Sequence, residues 1–198
     1  MTPHRIASIC VFCGSHPGRL PVYADAARRL GERMAARGLE LVYGGGKVGL
    51  MGILADAVLA GGGKVFGVIP EALLRREVGH GGVTELRVVD SMHERKALMA
   101  ERADAFVALP GGLGTFEELF EVWTWGALGI HAKPCGLLDV AGYYERLVAA
   151  LDHAVEEGFV RLRHREILLV ESDIDRLLDR LEEYEAPRVE QWLEVAET

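Results

Sequence analysis

The sequence predicts an α/β chain of the Rossmann-like, doubly wound kind, a mostly parallel sheet with helices on both faces. Three observations predict it. Short apolar, β-branched runs alternate with longer helical patterns, the rhythm of strand–helix–strand units. The strand runs are nearly continuous in apolar character, as expected where both faces of a strand are buried. Three strands then run into glycine-rich turns, at the sheet edge where folds of this kind bind their ligands.

Strands are expected over residues 6–12, 39–43, 64–69, 86–89, 105–109, 134–138 and 167–170. Between them helices are expected over 21–37, 49–60, a short piece near Glu71, then 92–102, 115–128, 143–157 and 174–183. The first helix carries Ala24, Ala27, Leu30 and Met34 at spacings of three and four, a core-facing stripe, and Gly38 ends it as a cap. Residues 73–82 read as an irregular excursion, and an acidic segment over 187–198 reads as a terminal helix or tail of a single domain spanning 1–198.

Composition narrows the functional classes. A net charge of −8 argues against a nucleic-acid binder, which would present a basic face. The sequence has no run of about 20 apolar residues that would cross a membrane and no signal-peptide pattern at Met1–Arg5, so a cytoplasmic location is expected. Cys10 and Cys13 form a C-x-x-C, but three residues apart on a strand they should face opposite sides. With no second such pair and no spaced histidines, they read as buried thiols rather than a metal or redox site.

The glycine-rich turns are Cys13-Gly14-Ser15, the segment 44–52, and Pro110-Gly111-Gly112-Leu113-Gly114-Thr115-Phe116-Glu117-Glu118. Glycines allow tight turning and close backbone approach to a ligand. In the last turn a helix starting near Thr115 would offer unpaired N–H groups and the positive end of its dipole to a phosphate, with the Thr115 hydroxyl as cap or extra donor. Lys47 is followed by Val48, so the segment 44–52 is not a P-loop, and the first turn lacks G-x-G-x-x-G.

Glu117 and Glu118 fall in the first turn of that helix. Adjacent helical residues diverge by about 100°, so at most one projects squarely into the site, and Glu121 is placed to share a face with Glu118. A carboxylate beside a phosphate is repulsive unless positive charge develops between them, as it does when a ribosyl C–N bond breaks through an oxocarbenium-like transition state. Met92-His93-Glu94-Arg95-Lys96 supplies balancing cations at a helix start, where they oppose the dipole and so call for an anion, while His93 reads as a structural histidine.

These two segments resemble the signature of the Lonely Guy proteins, the cytokinin riboside 5'-monophosphate phosphoribohydrolases. The resemblance continues through 44–52, Val68-Ile69-Pro70, Thr124-Trp125, Leu128-Gly129-Ile130-His131 and Lys133-Pro134, and covers 6–170. It implies a homodimer with sites near its interface and no metal or redox cofactor. It implies Arg95 and Glu118 as the catalytic pair, with substrate contacts at Glu77, Lys96, Gly112, Leu113, Gly114, Thr115, Phe116, Glu117 and Thr124. The sequence departs from the family at 78–84, which bears on specificity for the base. The family has also been labelled lysine decarboxylase, but no lysine site for pyridoxal phosphate is evident.

The reaction so implied is hydrolysis of the N-glycosidic bond of N6-substituted adenosine 5'-monophosphates, and of AMP, to free base and ribose 5-phosphate, with a small nucleotide as the partner and neither nucleic acid nor membrane. A general AMP nucleosidase, a non-catalytic carrier of a phosphate-bearing cofactor and, more remotely, a dinucleotide-dependent oxidoreductase are the alternatives.

Overall fold

The computed structural model describes residues 6–74 and 78–187. Seven strands build one parallel sheet in the order β4-β3-β2-β1-β5-β6-β7. They are β1 (Ser8–Phe12), β2 (Glu40–Tyr43), β3 (Val65–Pro70), β4 (Glu85–Val89), β5 (Ala105–Ala108), β6 (Cys135–Leu138) and β7 (Leu168–Glu171). The helices among the described residues are α1 (Pro21–Ala36), α2 (Gly49–Ala60), α3 (Glu71–Leu74), α4 (Met92–Arg102), α5 (Leu113–Ala127), α6 (Glu145–Glu156), α7 (Leu162–Arg165) and α8 (Ile174–Glu182). The doubly wound parallel architecture expected from the strand–helix alternation is therefore the observed one.

Two apolar cores flank the sheet. One joins Leu30 and Met34 of α1, Leu50 and Leu54 of α2 and Leu177 and Leu181 of α8 to Ile9, Leu41 and Val107. The other joins Met99 of α4, Leu119 and Trp123 of α5 and Leu151 of α6 to Cys10, Val42 and Phe106. Side chains of a strand alternate between faces, so Cys10 falls in one core and Cys13 in the other, as the spacing predicts. At Gly31 the α1 backbone approaches α2 so closely that a Cβ would lie 2.7 Å from the Leu54 carbonyl oxygen.

Differences from the expectation have local causes. β4 is an edge strand with only Val89 buried, so the rule that strands bury both faces fails there; its Glu85 and Arg87 pair on the exposed side. Ala24 is only half-buried, and Ala26 and Gly31 join the core stripe of α1 instead. Gly38, at φ +70°, does terminate α1, with Gly38 N–H donating to Ala35 and Leu39 N–H to Met34. Two further short elements, α7 and a 3-10 turn at Val140–Gly142, were not expected. The segment 188–198, read as a terminal helix or tail, lies outside the described residues.

Candidate active site

Winding reverses at β1. The chain builds outward through β2, β3 and β4 on one side, then returns to place β5 against β1 and continues through β6 and β7. A crevice must open where the connections diverge, beyond the carboxyl ends of β1 and β5. It is a cleft of about 210 Å³, bounded by Gly14–Gly18 after β1, by Pro110, Gly111 and Gly112 after β5, and by Tyr23, Leu50 and Tyr143.

The turn after β5 enters α5 two residues earlier than the sequence suggested. Gly112 is the N-cap, in extended conformation, and no side chain caps the helix. The expected capping role of Thr115 is thus corrected. Its side chain is buried behind Gly111, where a Cβ on Gly111 would lie 2.0 Å from Thr115 Oγ1. The first intrahelical bond runs from Phe116 N–H to Gly112 O at 3.1 Å, so the N–H groups of Leu113, Gly114 and Thr115 have no intrahelical acceptor. With the dipole behind them, such N–H groups are able to hold an anion. Gly112 and Gly114 are exposed, and a Cβ on either would meet nothing within 4 Å. Neither has a positive φ. No internal packing requires these two glycines, whereas a ligand seated against the backbone would.

The other two glycine-rich turns reach the same edge with different roles. Gly14 N–H donates to Pro110 O at 3.2 Å, and Gly14 O accepts from Leu50 N–H at the start of α2. The α2 N-terminus is thus partly occupied internally. Gly49 has φ +60° and backs against Ser15, where a Cβ would lie 2.3 Å from its carbonyl carbon. The turn after β2 therefore supports the cleft from beneath.

Arg95 lies in the second turn of α4, whose start is fixed by Ser91 Oγ accepting Glu94 N–H at 3.1 Å and by Glu94 Oε2 accepting Asp90 N–H at 3.0 Å. Arg95 is 4% exposed, and its Nη2 donates to Gly44 O at 2.8 Å. Burial and then Glu118 push the Cys10 thiol upward, while Arg95 pulls it down. Glu118 also raises the Cys13 thiol, after burial. One carboxylate and one guanidinium thus act in opposite directions on the same buried sulfur of β1.

Lys96, like Arg95 and Glu118, is not among the residues that bound the cleft. Its Nζ bridges Glu117 Oε1 at 2.6 Å and Glu121 Oε1 at 2.9 Å, tying α4 to α5. Glu121 accordingly shares a face with Glu117, four residues before it. Thr124 continues that outer face, exposed, with its hydroxyl donating to Phe120 O at 2.6 Å. Phe116 stacks parallel to Tyr143 at 6.5 Å and edge-on to Tyr144 at 6.2 Å, and Leu113 is 88% exposed at the mouth of the loop. Glu77 lies outside the described residues. His93 is exposed.

The sequence reading missed Tyr23, Tyr143, Tyr144 and His16. Tyr143 and Tyr144 follow two left-handed residues, Ala141 at φ 54° and Gly142 at φ 70°, which turn the chain back over the loop after β5. A Tyr pair directly after glycine was the one available signal.

The family model described as "possible lysine decarboxylase" matches residues 51–181. A probable cytokinin riboside 5'-monophosphate phosphoribohydrolase of rice is 52% identical over 180 residues, 91% of this chain and 81% of that one. A cytokinin riboside 5'-monophosphate phosphoribohydrolase of Arabidopsis thaliana is also 52% identical, over 93% of this chain and 85% of its own length. The chain belongs to the Lonely Guy family. Among solved structures, the molybdenum cofactor binding protein of Rippkaea orientalis superposes with a TM-score of 0.68 at 20% identity, covering 90% of this chain and 97% of that one. The molybdenum cofactor carrier protein of Chlamydomonas reinhardtii gives 0.66 at 21%, over 90% and 98%. Those two likenesses concern the fold alone. The Lonely Guy resemblance seen in the two signature segments thus extends over most of the chain.

Proposed function

We propose that the protein hydrolyses the N-glycosidic bond of N6-substituted adenosine 5'-monophosphates, and of AMP, releasing the free base and ribose 5-phosphate. The observation that carries this reading is the coupling, on one helix, of three amides without an intrahelical acceptor, at Leu113, Gly114 and Thr115, with a carboxylate at Glu118. A phosphate carrier needs the amides and gains nothing from the carboxylate. A reaction that creates a cation between phosphate and carboxylate uses both.

The 5'-phosphate sits on the α5 N-terminus, which fixes the ribose over the first turns of the helix. As the C1'–N9 bond breaks, its electron pair leaves with the base, which takes up a proton, and positive charge spreads over C1' and the ring oxygen. Glu118 stabilises that charge and orients the water whose oxygen bonds to C1' and whose proton is released. Arg95, held by Gly44 O, balances the carboxylate and positions it or the ribose hydroxyls. Lys96 and Glu117 act through the α4–α5 tie that fixes the helix, and Thr124 belongs to the outer face of the site. Glu77 contributes to substrate binding. No residue is assigned to a cofactor. The family relationship supports a cytoplasmic homodimer of single-domain chains, and the exposed Leu113 beside the loop gives a second copy an apolar side chain to cover. No helix among the described residues is long and apolar enough to cross a membrane.

The test is a base-release assay on AMP, N6-isopentenyl-AMP and their nucleosides. Monophosphates should react and nucleosides should react poorly in both kcat and KM, because phosphate binding energy positions the reacting centre. Equal kcat/KM for adenosine and AMP would sink the reading.

A further inference from the structure

An anion-binding loop has a problem that its amides do not solve. Each peptide unit also carries a carbonyl oxygen, and a carbonyl turned toward a phosphate repels it. In the loop after β5 four successive carbonyls are all engaged. Leu109 O accepts from Tyr144 Oη at 2.6 Å. Pro110 O accepts from Gly14 N–H at 3.2 Å. Gly111 O accepts from Tyr143 Oη. Gly112 O accepts from Phe116 N–H at 3.1 Å. Two of the four donors are adjacent tyrosines, reaching carbonyls two residues apart.

Tyr144 is fully buried, and its backbone N–H donates to Asp139 Oδ1 at 2.7 Å. Tyr143 lies at the cleft wall, 37% exposed, between the parallel ring of Phe116 and the edge-on ring of Tyr23, centroids 5.9 Å apart. Its ring is therefore fixed by neighbours other than its hydroxyl. That leaves the hydroxyl with one identifiable task, which is to hold the Gly111 carbonyl.

We propose that Tyr143, seconded by Tyr144, is a positioning residue for phosphate recognition: the pair ties back the loop's carbonyls so that the anion meets N–H groups alone. The role rests on the monophosphate reading above and deepens it. Tyr143 need not touch the substrate. It sets the polarity of the backbone that does, so the ligand class it governs is phosphate monoesters, not nucleosides.

Tyr143→Phe keeps the ring and its stacking and removes only the donor. Binding of ribose 5-phosphate and of adenosine to the full chain is measured by calorimetry, alongside a thermal melt and kcat and KM for N6-isopentenyl-AMP. The expected result is a ribose 5-phosphate Kd raised about three- to tenfold, the span of one hydrogen bond. Adenosine binding and melting temperature should be nearly unchanged, and KM should rise more than kcat falls. Tyr143→Leu should add a lower melting temperature, because the ring contacts to Phe116 and Tyr23 are lost as well. Unchanged ribose 5-phosphate affinity in Tyr143→Phe would overturn the proposal, as would an equal loss for adenosine. A wild-type protein that binds ribose 5-phosphate tightly yet releases no base would overturn the hydrolase reading and leave the loop assignment intact.

Discussion

The Gly44 carbonyl holds Arg95 Nη2 at 2.8 Å, and the hydrogen that makes Gly44 a glycine points at the same nitrogen: a Cβ there would lie 1.9 Å from it. The residue that orients the guanidinium is also the one that leaves room for it. Gly44→Ala should therefore act on chemistry more than on folding, since the end of an arginine side chain can swing aside at small structural cost. We expect kcat to fall about 10- to 100-fold, the scale of an ångström-sized misplacement of an active group, with a melting temperature close to wild type. Normal turnover in Gly44→Ala would mean that the guanidinium position is not critical.

Glu118 and Glu117 are neighbours with different environments. Glu117 is ion-paired to Lys96 on the outer face of α5, whereas the charge of Glu118 raises the buried Cys10 and Cys13 thiols. Glu118→Gln should lower kcat on the order of 100-fold or more, as expected for loss of a preorganised electrostatic group. Monophosphate affinity should hold or tighten, because one repulsive charge has gone. Glu117→Gln leaves Glu121 on Lys96 and should cost far less. Stopped-assay kcat values with AMP binding for both variants decide it, and near-normal turnover in a folded Glu118→Gln protein would remove that residue from the mechanism.

The glycines of the loop after β5 should separate by what surrounds them. Gly111→Ala drives a methyl into the Thr115 side chain and should destabilise by about 1–3 kcal/mol, as overpacking does. Gly114→Ala meets nothing and sits inside the helix, so it should stabilise by about 0.4–1 kcal/mol while crowding the phosphate. A variant that melts higher yet binds AMP more weakly is the signature sought by paired melts and calorimetry. Wild-type affinity in Gly114→Ala would show that no ligand approaches there.

Chelation should leave activity unchanged. No cluster of three or more His, Cys, Asp or Glu side chains able to hold a metal occurs among the described residues, and the three cysteines are separately buried. Base release should be the same before and after EDTA treatment and dialysis, and recovery of lost activity on adding zinc or magnesium would expose a missed site.

The strands were legible because burial on both faces writes itself as continuous apolar runs, and β1 at Ser8–Phe12 is entirely buried. Element ends were less so. Leu113 and Gly114 read as loop, although both already belong to the helix, because a glycine N-cap at Gly112 carries no side-chain signal. The one-turn helix at Leu162–Arg165 is too short to show a period. In the site, Arg95 and the glycine loop were visible because their chemistry is local in sequence. The tie from Lys96 to Glu117 and Glu121 joins two helices, and the tyrosine donors act across 32 and 35 residues, so neither leaves a trace in spacing.

The placement of Cys10 and Cys13 on opposite sides of β1 has a consequence for the cell chemistry this protein withstands. Three strand steps separate their Cα atoms by about 10 Å, beyond the reach of a disulfide, and the sheet itself stands between the two sulfurs. An oxidant could join them only by pulling the central strand out of the fold. The C-x-x-C therefore cannot cycle as a dithiol, and the central strand of the sheet is insulated from swings in thiol redox poise.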